Sequence, residues 1–165
     1  MVKQFNIKKI ITIFVVCLVL MIIIYSAYTQ IEDYKNSTDS KLIEIKRIFV
    51  DFFKQERKWK GSLKMLNTRD IMNEISLYRG DKSYTLNKER VHLCIKDENN
   101  EYYHNSMLIY VLAHELSHVL CESIGHTDEF NRIFRELLEE LVDAGIHDPS
   151  YRLIDDYCHS GDKLQ

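Results

Sequence analysis

The chain has 165 residues, of which 45% are hydrophobic and 28% charged, with one proline and five glycines. That balance excludes a disordered or fibrous chain and fits one compact, helix-rich domain. Lys3, Lys8 and Lys9 precede the first acid, Glu32; taking these three from 22 basic residues leaves 19 against 25 acidic ones beyond residue 30, a charge of −6. So acidic a remainder is a poor match for a phosphate backbone, which sets nucleic acid aside as a partner.

Residues 10–27, IITIFVVCLVLMIIIYSA, carry no charge, and a run of about 18 apolar residues is long enough to cross a hydrocarbon core. The segment reads as one transmembrane signal-anchor over residues 10–28. Lys3, Lys8 and Lys9 lie before it and Glu32 and Asp33 after it, so the positive-inside bias makes residues 1–9 a short cytoplasmic N-terminus. The rest of this single-pass chain then faces the non-cytoplasmic side of a host or virion membrane. A cleaved secretory signal shares the basic and apolar parts, but its apolar core is shorter, at about 7–15 residues. Cys17 lies in this segment; Cys94, Cys121 and Cys158 remain, which allows one disulfide with a free thiol or none, and offers no CxxC for a thiolate zinc site.

Residues 29–40 are polar and read as a stalk, with a helix cap between Ser37 and Asp39. Over residues 41–59, Leu42, Ile45, Ile48, Phe49, Phe52 and Phe53 recur at helical spacing, and Gly61 closes the region. Ile71, Ile75 and Tyr78 predict a shorter helix over residues 68–78, stopped at Gly80. The alternation in residues 90–96 suits a strand, with a turn at residues 97–100 and a short return through Tyr102 and Tyr103. Asn105 or Ser106 can cap a helix over residues 107–121 that is apolar on nearly all sides and must therefore be central. A last helix, from Thr127 or Asp128 to about Ala144, presents Phe130, Ile133, Phe134, Leu137, Leu138 and Leu141 as its core stripe, with Gly145 as its stop.

Within the central helix His114, Glu115 and His118 spell HELSH. Imidazoles four residues apart project from one helix face about a turn apart, so they can converge on one zinc ion with Glu115 beside them as a general base. The motif also arises by chance on exposed helices. Here it is flanked by Val111, Leu112, Ala113, Val119 and Leu120, where unpaired polar groups are costly and a metal supplies the missing partner. The first candidate for a third ligand is His126, just past Gly125. Its rivals are Glu136, Glu139 or Glu140 on the next helix and, less conveniently, Glu122.

The run from Val111 to His118, followed by Gly125, His126, Thr127, Asp128, Glu129 and Phe130, resembles the WLM family of zinc metallopeptidases and their SprT-type relatives, including WLM-type peptidases of large DNA viruses. The likeness covers about residues 84–145 and is specific across 107–130. It implies His114, His118 and His126 as zinc ligands, Glu115 as general base and Phe130 as a packing residue. The implied fold is α+β and zincin-like: residues 41–165 form a mainly helical domain with a small sheet beside the HExxH helix, after one N-terminal transmembrane helix. The strand at residues 91–95 would then be the sheet edge beside the cleft, with His92 and Tyr103 near a substrate, and Tyr151, Tyr157 or His159 as oxyanion donors. Cellular relatives cleave proteins crosslinked to DNA, a substrate that a membrane anchor and an acidic domain argue against here.

The expected function is therefore zinc-dependent hydrolysis of peptide bonds in a protein or peptide substrate. The alternatives are a catalytically silent membrane protein of the same fold that serves in binding or assembly, and a non-proteolytic hydrolase with the same metal site.

Overall fold

A computed structural model describes residues 7–155 and 157–159, apart from the side chains of Lys8 and His159. Lys3 and the side chains of Lys8 and His159 thus lie outside the described residues. The chain divides between Lys35 and Asn36 into two units. The first is built on helix α1, Ile7–Ser37, which is long and apolar enough to cross a membrane and whose large apolar side chains are exposed from Ile10 to Ile24. The helix runs on through most of the segment expected as a stalk. Residues 28–35 hold no glycine or proline, and Gln30, Glu32 and Lys35 are good helix formers.

The second unit begins with α2, Ser40–Lys54, capped by the Asp39 carboxylate accepting from the Lys41 N–H at 2.9 Å and burying Leu42, Ile45, Phe49 and Phe52. It stops five residues short of the expected end. Gln55 turns extended, and the Arg57 guanidinium lies over Phe52 and Trp59 at 4.7 and 5.1 Å while pairing with Glu140 at 2.7 Å. Trp59 thereby packs on Phe52 from a loop, its backbone held by both ends of the Asn67 amide. A 3-10 turn, Gly61–Asn67, follows.

The helix expected over residues 68–78 shrinks to one turn, α3, Ile71–Glu74, and the chain then enters strand β1, Ser76–Arg79. The Ile71, Ile75, Tyr78 spacing is compatible with a helix, but the Leu77–Tyr78 stretch suits a pleated, half-buried surface, and the register with a later strand decides the matter. Strand β2, Tyr84–Leu86, was not expected; β3, Arg90–Leu93, was. The sheet order is β1-β3-β2, with β1 parallel and β2 antiparallel to β3, so β3 is central and not the edge. Gly80 leaves β1 where an added Cβ would meet the Lys82 carbonyl oxygen at 2.8 Å, which explains the glycine. The expected return strand is a single bridge between Lys96 and Tyr102.

Helix α4, Asn105–Leu120, is buried along almost its whole length and packs on α5, β2 and β3. Its cap is the ring of His104, accepting from the Ser106 N–H at 3.2 Å, in place of Asn105 or Ser106. Helix α5, Asp128–Asp143, has Thr127 as its cap and buries Phe130, Ile133, Phe134, Leu137 and Leu141, as its stripe predicts. Beyond α5, Cys158 forms a disulfide with Cys94 at the end of β3, leaving Cys121 a buried free thiol.

This disulfide spans a sequence separation of 64 and ties down a tail that has little secondary structure of its own. A crosslink of this kind contributes about 2–4 kcal/mol. Replacing Cys158 by Ala is expected to lower the unfolding free energy by roughly that amount, read from urea denaturation of the non-reduced chain in detergent. Equal midpoints for the two proteins would contradict it.

Candidate metal centre

The periodicity of α4 sets His114 and His118 one turn apart, and the loop after Cys121 returns His126 to them. Gly125 makes that return with φ +86°, a backbone region open to glycine at no steric cost. Thr127 then starts α5, so His126 sits between a glycine turn and a helix cap. Its Nε2 lies 3.1 Å from Nε2 of His114 and 3.2 Å from Nε2 of His118. These three side chains form a group able to hold a metal ion. Tetrahedral ligands on bonds of about 2.0–2.1 Å stand about 3.3 Å apart, so His126 lies close to the spacing from each of the other two imidazoles that a zinc-sized ion requires.

Phe130 packs beneath all three rings, with centroid distances of 5.0, 4.3 and 4.8 Å to His114, His118 and His126. Phe134 meets His114 edge to face at 5.3 Å. These aromatic contacts orient His114, whose buried Nδ1 has no hydrogen-bond partner among the described residues. Burial pushes the His114 imidazole down to about 3, with the two neighbouring histidines adding to the effect. His118 falls to about 4, again chiefly by burial, then through His126 and Lys88. Both rings are therefore neutral at physiological pH, the form that binds metal.

Glu115 is 5% exposed, and its carboxyl is pushed up to about 7 by burial, against the opposing hydrogen bond from Thr85. Thr85 lies on β2, and that strand, with the Ser123–His126 loop, borders a cleft of about 480 Å³ whose lining includes His114, Glu115, His118 and His126. The edge beside the site is thus β2, not the strand at 91–95. Asn87 and Lys88 close the β2–β3 hairpin with φ of 52° and 59°. Lys88 then reaches α4, its ammonium donating to the carbonyls of Cys121 and Glu122. A cation at the carboxyl end of a helix is favoured by the helix dipole.

The rival ligands are engaged elsewhere or turned outward. Glu136 accepts from the Ser62 N–H at 2.7 Å and from its hydroxyl at 3.1 Å, and Glu140 holds Arg57. Glu139 and Glu122 are exposed, and neither joins the metal-binding group. His92 is stacked between Tyr78 and Tyr84 at 5.3 and 4.5 Å, and neither it nor Tyr103 lines the cleft. Tyr151 stacks on His104, away from the cleft lining. Tyr157 does line the cleft, but its hydroxyl donates to the Cys94 carbonyl and stands 3.1 Å from Ser83 Oγ. Thr85, Ser83 and Lys88 were not anticipated from the sequence; the alternation of Ser83 and Thr85 with Tyr84 and Leu86 before Asn87 is the signal that marks them.

The class defined by this geometry is a small helical domain with a three-imidazole group and a buried carboxyl in one cleft. The chain is similar to an uncharacterized protein of Invertebrate iridescent virus 6, 45% identical over 107 residues that cover 63% of this chain and 60% of that protein. It is likewise similar to an uncharacterized protein of Invertebrate iridescent virus 3, 41% identical over 99 residues covering 59% of this chain and 62% of the relative. A third, from Acanthamoeba polyphaga mimivirus, is 28% identical over 97 residues, 54% of this chain and 48% of that protein. The matches thus span less than two thirds of each relative's length. No family model and no solved structure matches the chain.

The ionisation of the site predicts how the metal-free protein responds to acid. His114 stays neutral in the fold down to about 3 and His118 down to about 4, while the unfolded chain protonates both from 6.5, so acid favours unfolding across that window. Glu115 acts oppositely, since its proton is held in the fold up to about 7 against 4.5, but it is one group against two. The thermal midpoint of the metal-free chain is expected to rise between pH 4.5 and 6.5. A midpoint that falls over this range would contradict the burial of the two rings.

Proposed function

We propose that this chain is a zinc-dependent metallopeptidase anchored to a membrane by its N-terminal helix. The observation that carries the reading is the convergence of three imidazole nitrogens at 3.1 and 3.2 Å in a cleft that also holds the buried carboxyl of Glu115. His114, His118 and His126 would hold the ion. When bound, zinc supplies Lewis acidity that polarises a scissile carbonyl and eases the deprotonation of water.

The residues of the chain supply the remaining chemistry. Glu115 titrates near neutral pH, so it can take a proton from water at its free carboxyl oxygen and return it to the leaving amine. The cleft is bordered by the β2 edge, a setting suited to an extended protein or peptide substrate. The resemblance of residues 107–130 to WLM-type peptidases supports the same reading, and with it a zincin-like architecture. The relatives in iridescent viruses and mimivirus support a viral protein.

Lys9 before the apolar helix and Glu32 and Asp33 after it favour a cytoplasmic N-terminus with the domain across the membrane. The Cys94–Cys158 disulfide agrees, because such bonds persist in oxidising compartments.

The test uses the full chain in detergent. One zinc per chain and chelator-sensitive cleavage of an unfolded protein are expected. Glu115→Gln should keep the metal and slow turnover by about 10²-fold or more. His126→Ala should weaken zinc binding in a competition titration by more than about 10²-fold, beyond the usual effect of outer-shell changes. Bound zinc without any cleavage would instead favour a binding or assembly role, and an active Glu115→Gln protein would refute the base assignment.

A further inference from the structure

Outside the three histidines, the group most closely engaged with the site is a hydroxyl on a strand that the chain could have built from any β-former. Thr85 Oγ1 donates to Oε2 of Glu115 at 2.8 Å and lies 3.1 Å from the main-chain oxygen of the same residue. The other carboxyl oxygen, Oε1, accepts no hydrogen bond among the described residues and is not sealed from solvent. One oxygen of Glu115 is thus anchored and one is left free in the cleft.

The anchor is itself held rigidly. In register, Thr85 pairs with Val91, which is fully buried, and its neighbour Tyr84 stacks on His92 at 4.5 Å. On one side of Thr85, Ser83 Oγ accepts from the Cys94 N–H at 2.9 Å and contacts the Tyr157 hydroxyl. On the other side, Lys88 fastens the hairpin to the carboxyl end of α4. The strand is therefore tied to the disulfide region at one end and to the metal-binding helix at the other. A hydroxyl so placed can restrict the rotamer of a carboxyl side chain in a way that a methyl group of the same size cannot.

We infer that Thr85 is a positioning residue for Glu115, fixing one carboxyl oxygen so that the other is presented to the cleft. The inference rests on the peptidase reading of the site for its catalytic consequence, but the contact itself does not. Thr85 touches neither substrate nor metal in this role; it acts through Glu115.

The test compares Thr85→Val, which keeps the shape and removes the hydroxyl, with Thr85→Ser, which restores it, in the full chain with folding checked by circular dichroism. Thr85→Val should lower kcat about tenfold or more while KM stays within about twofold and zinc content is unchanged, the size of effect typical of groups that orient a site. Thr85→Ser should recover kcat to within about threefold, since the donor is retained. A second readout needs no turnover. The infrared carboxyl band of Glu115, isolated in metal-free protein by subtracting the spectrum of Glu115→Gln, should shift in Thr85→Val and return in Thr85→Ser. An unshifted band, or a Thr85→Val enzyme as fast as the parent, would overturn the inference. A shifted band in a parent chain that cleaves nothing would uphold the positioning contact and overturn the peptidase reading instead.

Discussion

A helix that is apolar on nearly every side yet carries two imidazoles and a carboxyl on one stretch imposes the constraint on which the second unit depends. His114 is 9% exposed and Glu115 5%, so water reaches little of either side chain. Burying such groups unpaired costs several kilocalories per mole in order of magnitude, and the fold answers by converging other groups on them. His126 returns from a glycine turn, Thr85 reaches across from the sheet, and Phe130 supports all three rings. Among the described residues His114 Nδ1 has no hydrogen-bond partner, which leaves aromatic packing to hold that ring.

The elements around α4 share this purpose. Helix α5 supplies Phe130 and Phe134 from its buried stripe, and its Glu136 and Glu140 go to the 3-10 turn and to Arg57. The β2–β3 hairpin accepts left-handed backbone at Asn87 and Lys88, and the lysine bound to the end of α4 lies at that strained turn. Tyr157 lines the cleft from beside the disulfide, with its hydroxyl committed to the Cys94 carbonyl. That bond engages the one proton the Tyr157 hydroxyl can donate.

What the sequence disclosed follows from the range of the interactions involved. Helices α4 and α5 were legible because their apolar periodicity is local and long, and His114, Glu115 and His118 because helical spacing alone places them together. His126 was legible through Gly125 and its closeness to His118 in the chain, with Glu136, Glu139 and Glu140 as more distant rivals, two of which Ser62 and Arg57 hold. Strand β2 was not legible: it is three residues long, and Thr85 meets its partner Glu115 thirty positions away. The helix predicted over residues 68–78 failed because Ile71, Ile75 and Tyr78 satisfy helical spacing while Tyr78 belongs to a strand that pairs with β3. Trp59 extended the reading of α2 for a similar reason, since it packs on Phe52 from outside the helix. Three cysteines outside α1 left the Cys94–Cys158 pairing undetermined.

The central claim is that the three imidazoles exist to hold one ion. Zinc-edge X-ray absorption on the full-length chain, purified in detergent with its native metal, addresses it directly. The expected spectrum has three imidazole nitrogens at about 2.0–2.1 Å, one oxygen ligand at a similar distance and no sulfur. A sulfur shell near ~2.3 Å, which would point to Cys121, or a chain that takes up no zinc at all, would contradict it.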